Sequence, residues 1–187
     1  MQPARPRAYR GTMPHPFFTV GHSDRSIEEF ISLLQTAGVE RVIDVRRLPG
    51  SRRHPQFDED ALRESLDTAG MRLDRIAELG GRRPVSKEVP FDTNAFWQNR
   101  SFHNYADHAL SDEFRSGLEE LVRLGREERT TVMCSEAVWW RCHRRIIADH
   151  LLARGEQVIH LISEGRQHPA ALTEGAVVIR GVVAYPA

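Results

Sequence analysis

Apolar residues follow two patterns along this chain. Short β-branched and aromatic runs that stop at glycine or polar residues predict strands, and these runs are FFTVG (17–21), RVIDV (41–45), TTVMCS (130–135) and QVIHLI (157–162). Elsewhere apolar residues recur every three or four positions, which predicts helices between Ser26 and Gly38, between Asp58 and Gly70, over 112–124 and over 141–153. Ser26 and Glu29 have the spacing of a capping box.

Other segments lack a helical or strand period. Residues 1–16, rich in Pro and Arg, predict a disordered tail. Residues 71–104 predict a long irregular excursion, of a kind that often covers a site. AVVIRGVV (176–183) is expected to add a last strand at the edge of the sheet.

Strands that alternate with helices predict a mostly parallel sheet, because a parallel crossover needs an intervening segment of about this length. The fold class expected is therefore α/β, a Rossmann-like three-layer sandwich with helices on both faces of the sheet. We expect one such domain over residues 17–187.

Composition narrows the class of protein. The 187 residues carry a formal net charge of zero, so nothing global favours a nucleic acid or a membrane surface. No apolar run approaches the roughly 20 residues of a membrane helix, and no signal-peptide core is visible. The two cysteines are expected to be thiols. These features predict a soluble cytoplasmic protein without a membrane partner.

Polar and titratable residues recur just after the predicted strands. His22 and Ser23 follow the first, Asp44 and Arg46 end the second, and the third and fourth lead into Cys134-Ser135-Glu136 and Ser163-Glu164. In open α/β sheets ligands bind outside the carboxyl ends of the strands. The sequence therefore predicts a site at this edge.

Four segments, TVGHS, VIDVRRLPGSRRHPQF, ELGG and VMCSEAVWWRCHRRIIADHLLARGEQVIHLI, resemble the domain of unknown function 488 family. The resemblance implies a single α/β domain, association in places with DNA-repair-type domains, and no settled activity. It also implies a set of signature residues, which are His22, Ser23, Asp44, Arg46, Pro49, Ser51, Cys134, Glu136, Cys142, His143 and Arg144. The chain departs from the family pattern at Val138-Trp139-Trp140, where an acidic residue and a proline are expected.

Three kinds of chemistry are open to these residues, and the first is nucleophilic catalysis by Cys134. Amides at the start of the next helix and Arg144 are expected to lower the pKa of Cys134, against the opposing charge of Glu136, and to make Cys134 more reactive than the less accessible Cys142. A phosphatase-type loop does not fit, because six residues separate Cys134 from Arg141 and the loop lacks glycine.

The second is a metal site built from His22, Cys134, Cys142 and His143. Structural zinc ligands usually sit in pairs two to four residues apart, and adjacent Cys142 and His143 are expected to point in divergent directions on a helix. We therefore expect no metal and no cofactor.

The third is binding of a small anionic or nucleotide-like ligand by the loop at 46–53 and Arg144, with Asp44 and Glu136 orienting guanidiniums or acting as a general base. The alternative that these arginines only pair with carboxylates to hold loops stays open. The sequence predicts an enzyme or ligand-binding protein with Cys134, Glu136, His143, Asp44 and His22 as catalytic candidates. Its ligand-binding candidates are Ser23, Arg46, Ser51, Arg144 and Cys142.

The alternative function is a non-catalytic accessory module in DNA processing or repair. In it, the segment RRLPGSRRHP and a set of aromatic residues would contact phosphates and stack on bases, the aromatic set being Trp97, His103, Tyr105, Trp139 and Trp140. Whether the protein is an enzyme, which substrate it takes and how it oligomerises are left open by the sequence.

Overall fold

A computed structural model of the chain describes residues 15–50 and 52–187. The predicted disordered tail, residues 1–16, lies outside this part of the chain except for its last two residues, and so does the candidate ligand residue Ser51.

The described residues form helices and strands in alternation over most of their length. The strands are β1 (Phe17–Gly21), β2 (Arg41–Asp44), β3 (Arg72–Arg75), β4 (Thr130–Cys134), β5 (Val158–Ser163), β6 (Arg166–Pro169), β7 (Val177–Ile179) and β8 (Val182–Ala184). The helices are α1 (Ile27–Thr36), α2 (Glu59–Thr68), α3 (Arg100–His108), α4 (Asp112–Glu127) and α5 (Arg144–Ala153).

Six of these strands form one mixed sheet in the order β3-β2-β4-β1-β5-β6. The first five run parallel, and β6 pairs antiparallel with β5. Strands β4 and β1 therefore lie in the middle, where every residue of both is buried. The carboxyl ends of β1, β2 and β4 meet at the same edge.

Helices pack on both faces of the sheet, and an apolar core lies between the sheet and the helices on each face. This arrangement confirms the predicted three-layer α/β sandwich. One core joins Phe30 of α1 and Leu62 of α2 to Phe18 and Val20 of β1. The other contains residues of α3, α4 and α5 together with Phe17. No helix within the described ranges is long and apolar enough to span a membrane.

The start of α1 has the predicted capping box. The Ser26 hydroxyl accepts a hydrogen bond from the Glu29 amide at 3.2 Å, and the Ser26 amide donates to the Glu29 carboxylate at 3.0 Å. These bonds pair amides that the first helical turn would otherwise leave without partners.

The prediction that residues 71–104 form a long irregular segment is wrong in part. It contains the edge strand β3 and the start of α3, which Asn99 caps through its side-chain oxygen. Arg72-Leu73-Asp74-Arg75 carries too many charges to resemble a strand. It forms one because β2 offers an unpaired edge to its backbone.

The edge strand expected at 176–183 is also wrong. This segment forms a separate two-stranded hairpin of β7 and β8. Arg180 and Gly181, with φ of 51° and 79°, make the turn, a conformation that suits a tight two-residue hairpin. The antiparallel edge of the main sheet is β6 instead.

The third difference bears on the site. Helix α5 begins at Arg144, three residues later than the predicted 141. Residues 139–141 form a short 3-10 turn, Cys142 is extended and His143 is the helix N-cap. Cys142 and His143 therefore do not lie within a helix.

A candidate cysteine and histidine site at the carboxyl ends of the strands

A cavity of about 440 Å³ opens at the carboxyl ends of the parallel strands. His22 follows β1, Arg46 follows β2 and Cys134 ends β4, and all three line it. Cys142 and His143 reach the same cavity from the segment before α5. The two sequence clusters Cys-Ser-Glu and Cys-His-Arg are therefore brought together at one place.

The end of β4 is held against the end of β1 by backbone contacts. The His22 amide donates to the Cys134 carbonyl at 3.0 Å, and the Ser23 amide donates to the Ser135 carbonyl at 3.0 Å. Gly21 lies so close to the Glu136 backbone that a Cβ there would meet the Glu136 carbonyl oxygen at 1.8 Å. Only glycine allows the two strand ends to approach this closely.

Three donor atoms converge on the buried side of the cavity. The Nδ1 of His143 lies 3.7 Å from the Cys142 Sγ and 4.0 Å from the Cys134 Sγ. The three atoms lie within 4.8 Å of one another. The expectation that Cys142 and His143 diverge is wrong, because the chain passes from an extended residue to a helix N-cap between them.

The orientation of His143 is set by its other ring nitrogen and by the space around the ring. Nε2 lies 3.2 Å from the Val45 carbonyl oxygen, to which it donates a hydrogen bond. Gly81 leaves room for the ring, since a Cβ at that position would lie 2.8 Å from Nδ1. The Tyr105 ring packs on the imidazole with centroids 4.8 Å apart. The ring therefore presents Nδ1 to the two sulphurs.

Arg144 is a buried cation without an acidic partner. Its side chain is 1% exposed, and no ion pair joins it to a carboxylate anywhere in the described residues. Its Nε donates to the Cys142 Sγ at 3.2 Å, and its Nη2 donates to the Glu136 carbonyl oxygen. Because buried charges normally have a counter-charge, the Cys142 sulphur is the group placed to supply one.

The two thiols differ in acidity. Burial raises the pKa of Cys142, but the neighbouring Cys134 thiol and the charge of Arg144 outweigh this effect, so the pKa of Cys142 lies well below its usual value. The contact with Cys142 and burial raise the pKa of Cys134. The expectation that Cys134 has the lowered pKa is therefore wrong, because Arg144 donates to the other sulphur.

Asp44 and Arg46 form a buried ion pair beside this group. The Asp44 carboxylate accepts from the Arg46 amide at 2.9 Å, from Nε at 3.0 Å and from Nη2 at 2.7 Å. Arg46 Nη1 lies 3.4 Å from His22 Nε2. Burial lowers the pKa of His22 to about 4, so this ring is neutral. Arg46 thus pairs with a carboxylate to hold the loop after β2, which is the alternative that the sequence left open. Its Nε and Nη2 already donate to Asp44, which leaves little of the guanidinium available to a ligand.

Three other arginines line the cavity from its exposed side, namely Arg47, Arg82 and Arg141. Arg47 donates one hydrogen bond to the Arg82 carbonyl at 3.1 Å. The guanidiniums of Arg82 and Arg141 make no hydrogen bond or ion pair with the part of the chain that the structure describes. Glu136 supplies a single carboxylate to the same lining.

Some predicted contributors lie elsewhere. Ser23 directs its hydroxyl to Asp24 at 3.0 Å, and Ser163 and Glu164 do not line the cavity. Trp139 stacks on the buried His160 at 4.2 Å, so it packs against the sheet.

Other cavity residues were not singled out as site residues from the sequence. Gly81, Arg82 and Phe102 come from segment 71–104, which was expected to be irregular. Tyr105, expected only to stack on bases in the alternative function, follows that segment in α3. Only the ELGG motif, which contains Gly81, signalled part of this contribution.

Comparison with known proteins places the chain in a family without supplying an activity. No curated protein and no solved structure matches it. The family model described as domain of unknown function DUF488 matches residues 26–151, more than half of the chain. The protein therefore belongs to the DUF488 family.

Proposed function

We propose that residues 17–187 act as one domain that binds a small anionic, nucleotide-like ligand in the cavity near Cys134. The observation that carries the proposal is the juxtaposition of solvent-facing arginines with a buried group of two thiols and an imidazole in one cavity of about 440 Å³.

The charges of the lining favour an anion. Arg47, Arg82 and Arg141 face the cavity from exposed positions, whereas Glu136 is its one carboxylate within the described lining. Arg46 is neutralised by Asp44 and does not enter this balance. A guanidinium without a protein partner has its donors available for a phosphate or carboxylate in bidentate geometry.

Apolar side chains in the same lining suit the ring of a nucleotide. Phe102 and Leu48 line the cavity together with Tyr105. Phe102 is held flat against Trp97, with ring centroids 4.8 Å apart and planes 14° apart. Aromatic faces of this kind stack on bases without requiring a particular base.

The chemical groups of the site have separate roles in this proposal. Cys134, Cys142 and His143 form the reactive group, and the Glu136 carboxylate is assigned to proton transfer. Asp44, Arg46 and His22 are positioning residues, because their side chains contact one another beside the reactive group. Arg144 stabilises charge on Cys142.

Isothermal titration with inorganic phosphate, adenosine and AMP tests the proposal. We expect AMP to bind more tightly than either fragment, and Arg82→Ala combined with Arg141→Ala to weaken AMP binding by at least about tenfold, since hydrogen bonds to charged groups contribute about 1.5–3 kcal/mol each. Arg115→Ala, an exposed arginine on α4 outside the cavity lining, is the matched control. Equal affinities in all three proteins would overturn the proposal.

The same titration with a single-stranded oligonucleotide separates the alternative function. Tight binding of the oligonucleotide with no binding of AMP would indicate an accessory module for DNA processing. A steep salt dependence would accompany that result, because such binding releases counterions from phosphates.

A further inference from the structure

We propose that Cys134, Cys142 and His143 form a binding site for a zinc-class divalent cation whose fourth coordination position opens into the cavity. This inference deepens the proposed function by adding a metal centre to the same cavity. Its geometry does not depend on anion binding, and the two are tested with different variants.

The distances between the donor atoms fit a tetrahedral ion. Bond lengths of about 2.3 Å to sulphur and about 2.0 Å to nitrogen place neighbouring donors roughly 3.5–3.8 Å apart. The two sulphur-to-Nδ1 distances are 3.7 and 4.0 Å, and no pair of donors exceeds 4.8 Å. No pair of donors would have to approach by more than about 1 Å to complete the site.

The histidine is held in the orientation and tautomer that a metal ligand needs. Its Nε2 donates to the Val45 carbonyl at 3.2 Å, so the proton resides on Nε2 and the lone pair of Nδ1 faces the sulphurs. Metal-bound histidines commonly donate their second nitrogen to a carbonyl or carboxylate in this way. Gly81 keeps the space beside Nδ1 clear.

The surroundings of the sulphurs match the charge of a dithiolate. Arg144 is 1% exposed and donates to Cys142 without a carboxylate partner in the described part of the chain. A divalent ion with two thiolates is neutral, so Arg144 leaves one net positive charge. An anion at the open coordination position would neutralise that charge, which agrees with the arginines that line the same cavity.

Three protein ligands and an opening are the arrangement of catalytic zinc sites, in which water or substrate takes the fourth position. Structural zinc sites instead use four protein ligands. Nitrogen and sulphur donors select zinc over magnesium or calcium, which prefer oxygen. The spacing argument against a metal at the sequence level applies to structural sites and does not exclude this one.

Cobalt and zinc titrations of the reduced, chelator-treated full chain test the site. We expect one Co²⁺ per chain with a sulphur-to-cobalt charge-transfer band, displaced by Zn²⁺, and X-ray absorption of the zinc form should show a mixed sulphur and nitrogen shell. Cys134→Ser, Cys142→Ser and His143→Gln should each weaken binding by more than about tenfold, the scale of loss seen even for outer-shell substitutions. Ser135→Ala, beside Cys134 in the cavity lining, is the matched control.

Absence of the cobalt–thiolate band in the reduced wild-type protein would overturn the proposal. Equal Co²⁺ binding by His143→Gln and Ser135→Ala would also overturn it. His143→Gln is the variant least expected to destabilise the fold, because His143 is half-buried whereas both cysteines are buried. Conversion of both thiols to a disulfide in air, with no metal binding after reduction, would indicate a redox pair instead. The anion titrations use Arg82 and Arg141 variants, which retain all three metal ligands.

Discussion

Removal of the charge on Asp44 is predicted to destabilise the protein strongly. Asp44 and Arg46 have side chains only 2% and 5% exposed, and the carboxylate accepts from the Arg46 amide, Nε and Nη2 at 2.7–3.0 Å. Asp44→Asn keeps the size of the side chain but leaves the guanidinium without its counter-charge. Breaking a buried pair in this way costs about 3–5 kcal/mol.

Urea unfolding followed by tryptophan fluorescence measures this loss. We expect Asp44→Asn to lower the urea midpoint without changing the m-value, since the surface exposed on unfolding stays the same. Arg46→Met added to Asp44→Asn should recover much of the loss, because neither buried charge then remains. Glu120→Gln is the control: it breaks an exposed pair with Arg123 and should cost no more than about 1 kcal/mol.

Two outcomes would refute this reasoning. A loss below about 1 kcal/mol for Asp44→Asn would mean that solvent or another group compensates Arg46, as at an exposed pair. Additive losses for Asp44→Asn and Arg46→Met would mean that the two side chains do not interact. With the expected result, Arg46 is a structural residue whose variants say little about anion binding.

Three further predictions concern the site and the sheet. Gly81→Ala should weaken Co²⁺ binding about tenfold or more because its methyl group would lie 2.8 Å from His143 Nδ1. Gly50→Ala, whose methyl group would meet Asp58 Oδ1 at an ordinary 3.9 Å, should not weaken it, and equal binding by the two variants would contradict the assignment. In the metal-free protein, iodoacetamide should alkylate Cys142 before Cys134, as Arg144 donates to the Cys142 sulphur; peptide mass spectrometry showing the reverse order would count against it. Burial lowers the pKa of His160 from 6.5 to about 3, so as the pH falls the unfolded chain binds a proton at this residue before the folded protein does. The stability that the neutral His160 contributes is therefore present above pH 6.5 and is lost as the pH falls towards 3. The loss is on the order of 5 kcal/mol, and thermal unfolding of His160→Gln should show a flatter pH profile than wild type.

Local patterns predicted most of the elements near the site. The capping box at Ser26 and the buried runs of β1 and β4 are each specified by residues close together in the chain. Segment 72–75 was missed because its strand conformation comes from pairing with β2, and four largely polar residues carry no period of their own. The hairpin at 177–184 was misassigned because its turn depends on one residue pair, Arg180 and Gly181.

The sequence by itself determined that polar and thiol residues follow parallel strands, and hence that they meet at one edge of the sheet. Chain connectivity and strand period suffice for that conclusion. Only the tertiary structure decided which groups pair. Arg46 pairs with Asp44, and Arg144 donates to the Cys142 sulphur. His143 faces both sulphurs because its Nε2 is hydrogen-bonded to the Val45 carbonyl. The physical reason is that these contacts depend on side-chain directions and on space left by distant residues such as Gly81, neither of which any local pattern encodes.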